Sequence, residues 1–222
     1  MTAGLSLIAL RYEPAAPESP ANGARRAFHF RDMVAIELLP NAFFAATMAV
    51  ATGINNAYLV MVGNERNIAN IGFYFIVYSA VLLVLRPLSG RVADRKGVVF
   101  VVVPGYFMAA VAMALIGSSG ILLPILFAAV LAAAGAGAMP AIQADCIRRL
   151  DSSRRTAATG TYLIGMDSGV AGGQVFGGML SDSFGFKTTY TTVSCLMLFG
   201  LGLYLLYRKF GKHPSSESVP KH

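Results

Sequence analysis

Gly90-Arg91-Val92-Ala93-Asp94-Arg95-Lys96-Gly97 and Gly178-Met179-Leu180-Ser181-Asp182-Ser183-Phe184-Gly185 follow one pattern. Both read Gly, any residue, Leu or Val, Ala or Ser, Asp, any two residues, Gly. Outward from each copy, in both directions, the chain runs apolar. Gly97 to Ala144 holds no charge over 48 residues and breaks at Gly117-Ser118-Ser119-Gly120, a turn signal. Leu38 to Asn64, Asn67 to Leu85 and Thr188 to Tyr207 are also free of charge. Thr156 to Ser181 is interrupted only by Asp167. A bilayer core of about 30 Å takes about 20 apolar helical residues. The runs therefore predict six transmembrane helices, near 34–62, 68–86, 98–116, 121–144, 157–180 and 188–207. Barrel strands alternate over about ten residues, which these uniform runs do not.

Composition agrees. Of 222 residues, 55% are hydrophobic and 13% charged, against about 25% charged in a soluble domain. Mean hydropathy is +0.60. A soluble enzyme is excluded as an expectation. Two cysteines make no disulfide framework, and the three histidines form no cluster for a metal. No metal and no cofactor are expected.

The net charge of +7 is explained by placement. Arg11, Arg25, Arg26 and Arg31 precede the first span. Arg86, Arg91, Arg95 and Lys96 follow the second. Arg148, Arg149, Arg154 and Arg155 follow the fourth, and Arg208, Lys209, Lys212 and Lys221 follow the sixth. The intervening connections carry only Arg66 and Lys187. Excess Lys/Arg marks the cytoplasmic side, so both termini are expected there. The basic residues are then inner-face anchors, and no nucleic-acid partner is implied. The expected organisation is a cytoplasmic segment over 1–32, a six-helix transmembrane domain over 33–208 and a cytoplasmic tail over 209–222.

The first octapeptide copy follows an even-numbered span and the second an odd-numbered one, so they fall at opposite membrane faces. Spans one to three and four to six are then a 3+3 inverted repeat, a common architecture of secondary transporters. Arg86 through Gly97 also resembles the cytoplasmic signature loop of the major facilitator superfamily, with Gly90, Asp94, Arg95 and Gly97 matching. Val92 stands for the usual Leu, and Val98 and Val99 for later basic residues. The fifth span, from Met166 to Gly173 and on through Gly178 and Asp182, resembles the penultimate helix of that family. The resemblance implies an all-α membrane protein like the C-terminal six-helix half of these transporters. It implies alternating-access movement of a small molecule across the bilayer. Export, coupled to protons as in an antiporter, and the inner (cell) membrane of a bacterium are expected from the family alone. Family members have twelve spans. Pairing with a second six-helix half, a homodimer, or an orphan half without independent transport is therefore the alternative.

Residue phase picks out the candidate path. Gly165, Gly169, Gly173 and Gly177 recur every four residues and form a small-residue packing stripe. Asp167 lies about 200° round the helix from Gly165, and Gln174 about 180°. A carboxylate within the bilayer costs about 2.5–3.5 kcal/mol or more, so Asp167 should face a cavity or partner. There it is a candidate for reversible protonation. In the first span, Glu37, Thr52 and Asn55 fall at about 320°, 20° and 320° from Asn41, on one stripe. Glu37 reads as interfacial; Asn41, Asn55 and Thr52 read as path residues. Tyr74 and Tyr78 share a face of the second span. In the signature segment Asp94 is expected to accept bonds from amides opening the third helix. Gly90, Arg91, Asp94, Arg95 and Gly97 are the candidate cytoplasmic gate. Ser168 has no histidine in any span to activate it, which argues against a serine protease. Neither a filter-like loop nor a charge ring marks a channel.

Overall fold

The computed structural model describes residues 35–148 and 154–210. The expected N-terminal segment over 1–32 and the tail beyond Phe210 lie outside the described residues. So do the anchors Arg11, Arg25, Arg26, Arg31, Arg149, Lys212 and Lys221.

Among the described residues all regular structure is helical. A 3₁₀ turn at Ile36–Leu38 leads into α1, Leu39–Glu65, with Pro40 in its first turn. There the missing N–H of proline would be unpaired anyway. Asn67 and Asn70 adopt φ of 53° and 60° in the following turn, a conformation that asparagine tolerates better than most residues. The next helices are α2, Phe73–Lys96, and α3, Val99–Ser118. α4, Leu122–Ala136, and α5, Met139–Arg148, follow one another across a short break at Gly137. The last, α6, is Arg155–Phe210. Counting α4 with α5, five helical stretches are long and apolar enough to cross a membrane.

At 1.5 Å per residue the 56 residues of α6 would span about 84 Å, far beyond a bilayer core. It is not one straight rod. Gly185 has φ 77° and ψ 163°, outside helical values. Before it, Gly165, Gly169 and Gly173 meet Ala42, Ala46 and Val50 in turn, so this half runs parallel to α1. After it, Tyr190 lies against Gly117, Ser194 donates to the Ala110 carbonyl at 2.8 Å, and Gly200 meets Tyr106. That half runs antiparallel to α3. Tyr204 reaches Phe44 near the start of α1, at a ring separation of 5.1 Å. The chain thus turns back at Gly185.

Two expectations about the signature segment need correcting. Gly90 to Lys96 is not a loop: it is the last two turns of α2, and only Gly97 leaves the helix, at φ 96°. Asp94 does not cap α3, whose start has no side-chain cap. Its carboxylate is instead drawn to a guanidinium, that of Arg148 on α5. A charged donor pairs more strongly with a carboxylate than a neutral amide does.

The core lies among α1, α3, α4 and the second half of α6, around Ile54, Leu59, Tyr106, Met113, Ile116, Ile125 and Met197. α2 stands apart. Only Tyr74 and Ala93 of it are buried, and Leu83 is 77% exposed.

Candidate transport site

The seam between α1 and the first half of α6 sets the geometry. A Cβ added at Gly165 would lie 2.6 Å from the Ala42 carbonyl oxygen, and one at Gly173 2.5 Å from that of Val50. At Gly169 the Ala46 backbone is closer still, and Gly53 returns the contact on Val170. Backbone meets backbone, as small-residue stripes permit in lipid. This fixes the rotation of both helices. Asp167 and Gln174 are consequently turned away from α1 and exposed. The Gln174 carbonyl accepts a bond from the Tyr58 hydroxyl at 2.6 Å, while its amide faces outward.

A cleft of about 880 Å³ opens at one end of the bundle. Its walls include Asn41, Asp94, Arg95, Asp145, Arg148 and Arg208, with Gly97 at its edge. Asn41 is buried and its Nδ2 donates to Asp145 Oδ2 at 3.3 Å. The Arg148–Asp94 pair ties α5 to α2 across this cleft, and both side chains are more than half exposed. Beside it Arg154 reaches Glu37 at 3.4 Å. Such exposed pairs contribute roughly 0–1 kcal/mol to stability.

At the opposite end Arg66 ties the end of α1 to the end of α3. Arg66 donates to the carbonyls of Ile116 at 2.7 Å, Gly117 at 2.8 Å and Ser119 at 2.5 Å. These are carbonyls that the end of α3 leaves without helical partners. A cation at a helix C-terminus also meets its negative dipole end.

Between the ends, Thr52 and Asn55 line a small cavity of about 30 Å³ with Tyr74 and Tyr78. Asn55 Nδ2 donates to the Tyr74 hydroxyl at 3.0 Å. The rings of Tyr74 and Tyr78 stack at 6.0 Å, on the shared face that their spacing predicts.

The predicted site residues thus occupy three places. Asn41 is in the wide cleft with Asp94, Arg95 and Gly97. Thr52 and Asn55 are in the small cavity. Asp167 and Gln174 are on the bare face of α6. Gly90 and Arg91 belong to the last turns of α2, outside the walls of both cavities. Sequence reading missed Tyr204, Tyr207 and Arg208 as cleft residues. The spacing of Tyr204 and Tyr207, three apart, was a signal that both share a face. It also missed the bonds from Arg66, which carry no local sequence signal.

No match was found among curated proteins. The family model described as Major Facilitator Superfamily matches residues 39–222, across all the described helices. Members of that family are transporters rather than enzymes. The apolar helices, the polar groups between them and this match lead to one assignment: the chain belongs to the Major Facilitator Superfamily and is a multi-pass integral membrane protein of the secondary-transporter class.

Proposed function

We propose that the chain forms a six-pass, 3+3 inverted-repeat unit moving a small molecule by alternating access. The observation that carries this reading is the pair of octapeptides. Each runs as helix up to its last residue, and each ends on a glycine of positive φ, Gly97 at 96° and Gly185 at 77°. Two like segments ending in like backbone breaks, with the helices after Gly185 reversed, fit two triplets of opposite sense. The basic end, with Lys96, Arg148, Arg155 and Lys209, faces the cytoplasm in this reading, as do both termini. The wide cleft at that end, with Arg66 bonded to the end of α3 at the other, supports a unit open to the cytoplasm. Asn41, Thr52 and Asn55 mark the path inside the unit. Asp167 and Gln174 face the shared central space and carry the proton coupling of an export cycle in a bacterial inner membrane. Gly90, Arg91, Asp94, Arg95 and Gly97 work as the gate, with Arg148 as the counter-charge.

The bare face of α2, together with exposed Asp167, favours a second reading of how the unit works. One wall does not enclose a path, so the unit acts with a second six-helix half or a second copy. Alone it would then be an orphan half without transport.

Single cysteines placed at Arg66, Lys96, Lys187 and Lys209 test the threading by impermeant labelling of intact cells, with Cys146 and Cys195 replaced. Labels at 66 and 187 with none at 96 and 209 are expected. Labelling of 96 with 187 would end the six-pass reading. Flux from vesicles holding the purified chain alone separates the two assemblies. Flux there favours a self-sufficient copy or homodimer; flux only after coexpression with a second half favours pairing.

A further inference from the structure

Sequence order groups Arg86 with the basic anchors of the inner face, but the structure puts it inside a helix. α2 runs Phe73–Lys96, and Arg86 lies 13 residues after its start and 10 before its end. At 1.5 Å per residue that is about 15 Å from the basic end at Lys96. Side chains on an α-helix lean toward its N-terminus. On α2 that is the Phe73 end, so Arg86 leans away from Lys96 rather than back toward it. Its guanidinium is within electrostatic reach of Tyr78, about two turns nearer Phe73. It is also within reach of Tyr162, whose hydroxyl donates to the Met139 carbonyl at 3.1 Å.

Arg86 is exposed, and among the described residues no carboxylate pairs with it. Asp167 is exposed as well, 12 residues or about 18 Å into α6. Measured from the basic ends of their helices, the two charges sit at comparable depth, yet they do not pair with each other. An ionised group within the bilayer is costly and calls for a partner. The two groups have different remedies. A carboxylate can take up a proton. A guanidinium stays protonated in proteins, so only an anion neutralises Arg86. No other cation lies on α2 between it and Phe73. One guanidinium balances one negative charge, whereas a phosphate monoester would bring nearly two. Its planar fork fits the two oxygens of a carboxylate.

We propose that Arg86 is the anion-binding residue of the unit and takes the carboxylate of a singly charged transported molecule. The inference rests on the transport reading and names its substrate class. The molecule supplies, while bound, the counter-charge that the described chain does not.

The test uses the full chain in phosphatidylcholine nanodiscs at neutral pH and reads the shift in thermal unfolding with probe concentration. The probes are cyclohexanecarboxylate, its uncharged carboxamide and cyclohexylammonium. The carboxylate should stabilise saturably and the other two should not. Arg86→Gln should weaken carboxylate binding roughly tenfold or more. Arg86→Lys should fall between, since it keeps the charge and loses the fork; it serves by itself if the Gln variant does not fold. Lys209→Gln, the same loss of charge at the basic end, should leave binding within about twofold, because solvent screens so distant a cation. An equal shift with the carboxamide, no shift with the carboxylate, or a carboxylate shift indifferent to both Arg86 variants overturns the proposal. No flux is needed for this readout. Arg86-dependent binding in a chain without flux would remove the transport reading and keep the anion site; flux unchanged by Arg86→Gln would do the reverse.

Discussion

The two faces of the first half of α6 obey opposite rules. On one face Gly165, Gly169 and Gly173 lie against the backbone of α1, with no space for a single added carbon. On the other, Asp167 and Gln174 are exposed. The first face is governed by shape and tolerates almost no change. The second is governed by chemistry and should tolerate changes of shape while responding to changes of charge. Position round one helix thus separates what builds the unit from what it can do.

Breaking the packed face should give the largest effect. In Gly169→Leu the side chain has to push α1 and α6 apart along the whole seam. Overpacking a well-packed interior costs about 1–3 kcal/mol and sometimes more, and here the obstacle is backbone that cannot rotate aside. Loss of monodisperse protein in mild detergent is expected. Recovery of a folded chain with unchanged thermal unfolding would mean that the seam is looser than these contacts require.

Next in size are the glycines that end the repeated segments. Gly97→Ala and Gly185→Ala place a Cβ at φ 96° and ψ 156° and at φ 77° and ψ 163°, a region almost confined to glycine, at a cost of roughly 1–3 kcal/mol each. No neighbour lies within reach of either added carbon, so the cost is one of backbone conformation alone. Similar losses at both positions, read by thermal unfolding, would strengthen the likeness of the two segments. A loss at one position only would break it.

These positions also show what the sequence could tell. The glycine stripe was legible because packing in lipid selects small residues at a fixed period, and period is a local property. The turn at Gly185 was legible because two apolar runs meet there around Lys187. The extent of α2 was not: Gly90 to Lys96 is polar and rich in turn residues, yet it continues the helix. Polarity says where the membrane ends, and backbone hydrogen bonding continues past that boundary. The candidate path was legible only in part. Asn41 and Asn55 share a stripe, but 14 residues separate them by about 21 Å along the axis. Phase alone cannot say that they open into different cavities. The Arg148–Asp94 and Arg66 contacts join helices far apart in sequence, so no spacing rule reaches them.

Smaller effects on the fold are expected at the proposed cytoplasmic gate. Arg148→Ala should lower stability by under about 1 kcal/mol, since the pair with Asp94 is exposed. Its effect should appear instead in accessibility. With α5 released from α2, a cysteine at Asn41 should react faster with a reagent applied from the basic end. Arg148→Lys should fall between the two, because an ammonium keeps the charge without the fork that grips a carboxylate. An accessibility unchanged in both variants would take the pair out of gating.

The smallest change to the fold should come from the chemical face. Asp167→Asn keeps the shape of the side chain and removes its charge at an exposed position. Thermal unfolding in detergent should stay within about 0.5 kcal/mol of the parent, as for surface substitutions generally. In vesicles the outcome should be different. If Asp167 takes up and releases the coupled proton, substrate movement driven by a pH gradient should stop, while counterflow of labelled against unlabelled substrate should continue. Exchange needs the path and the conformational change but no net proton movement. Loss of both activities would place Asp167 in the path itself, and retention of both would confine it to contact with lipid or a second half. Exposed charge in lipid is expensive, so the last outcome would still require a partner surface over that face of α6.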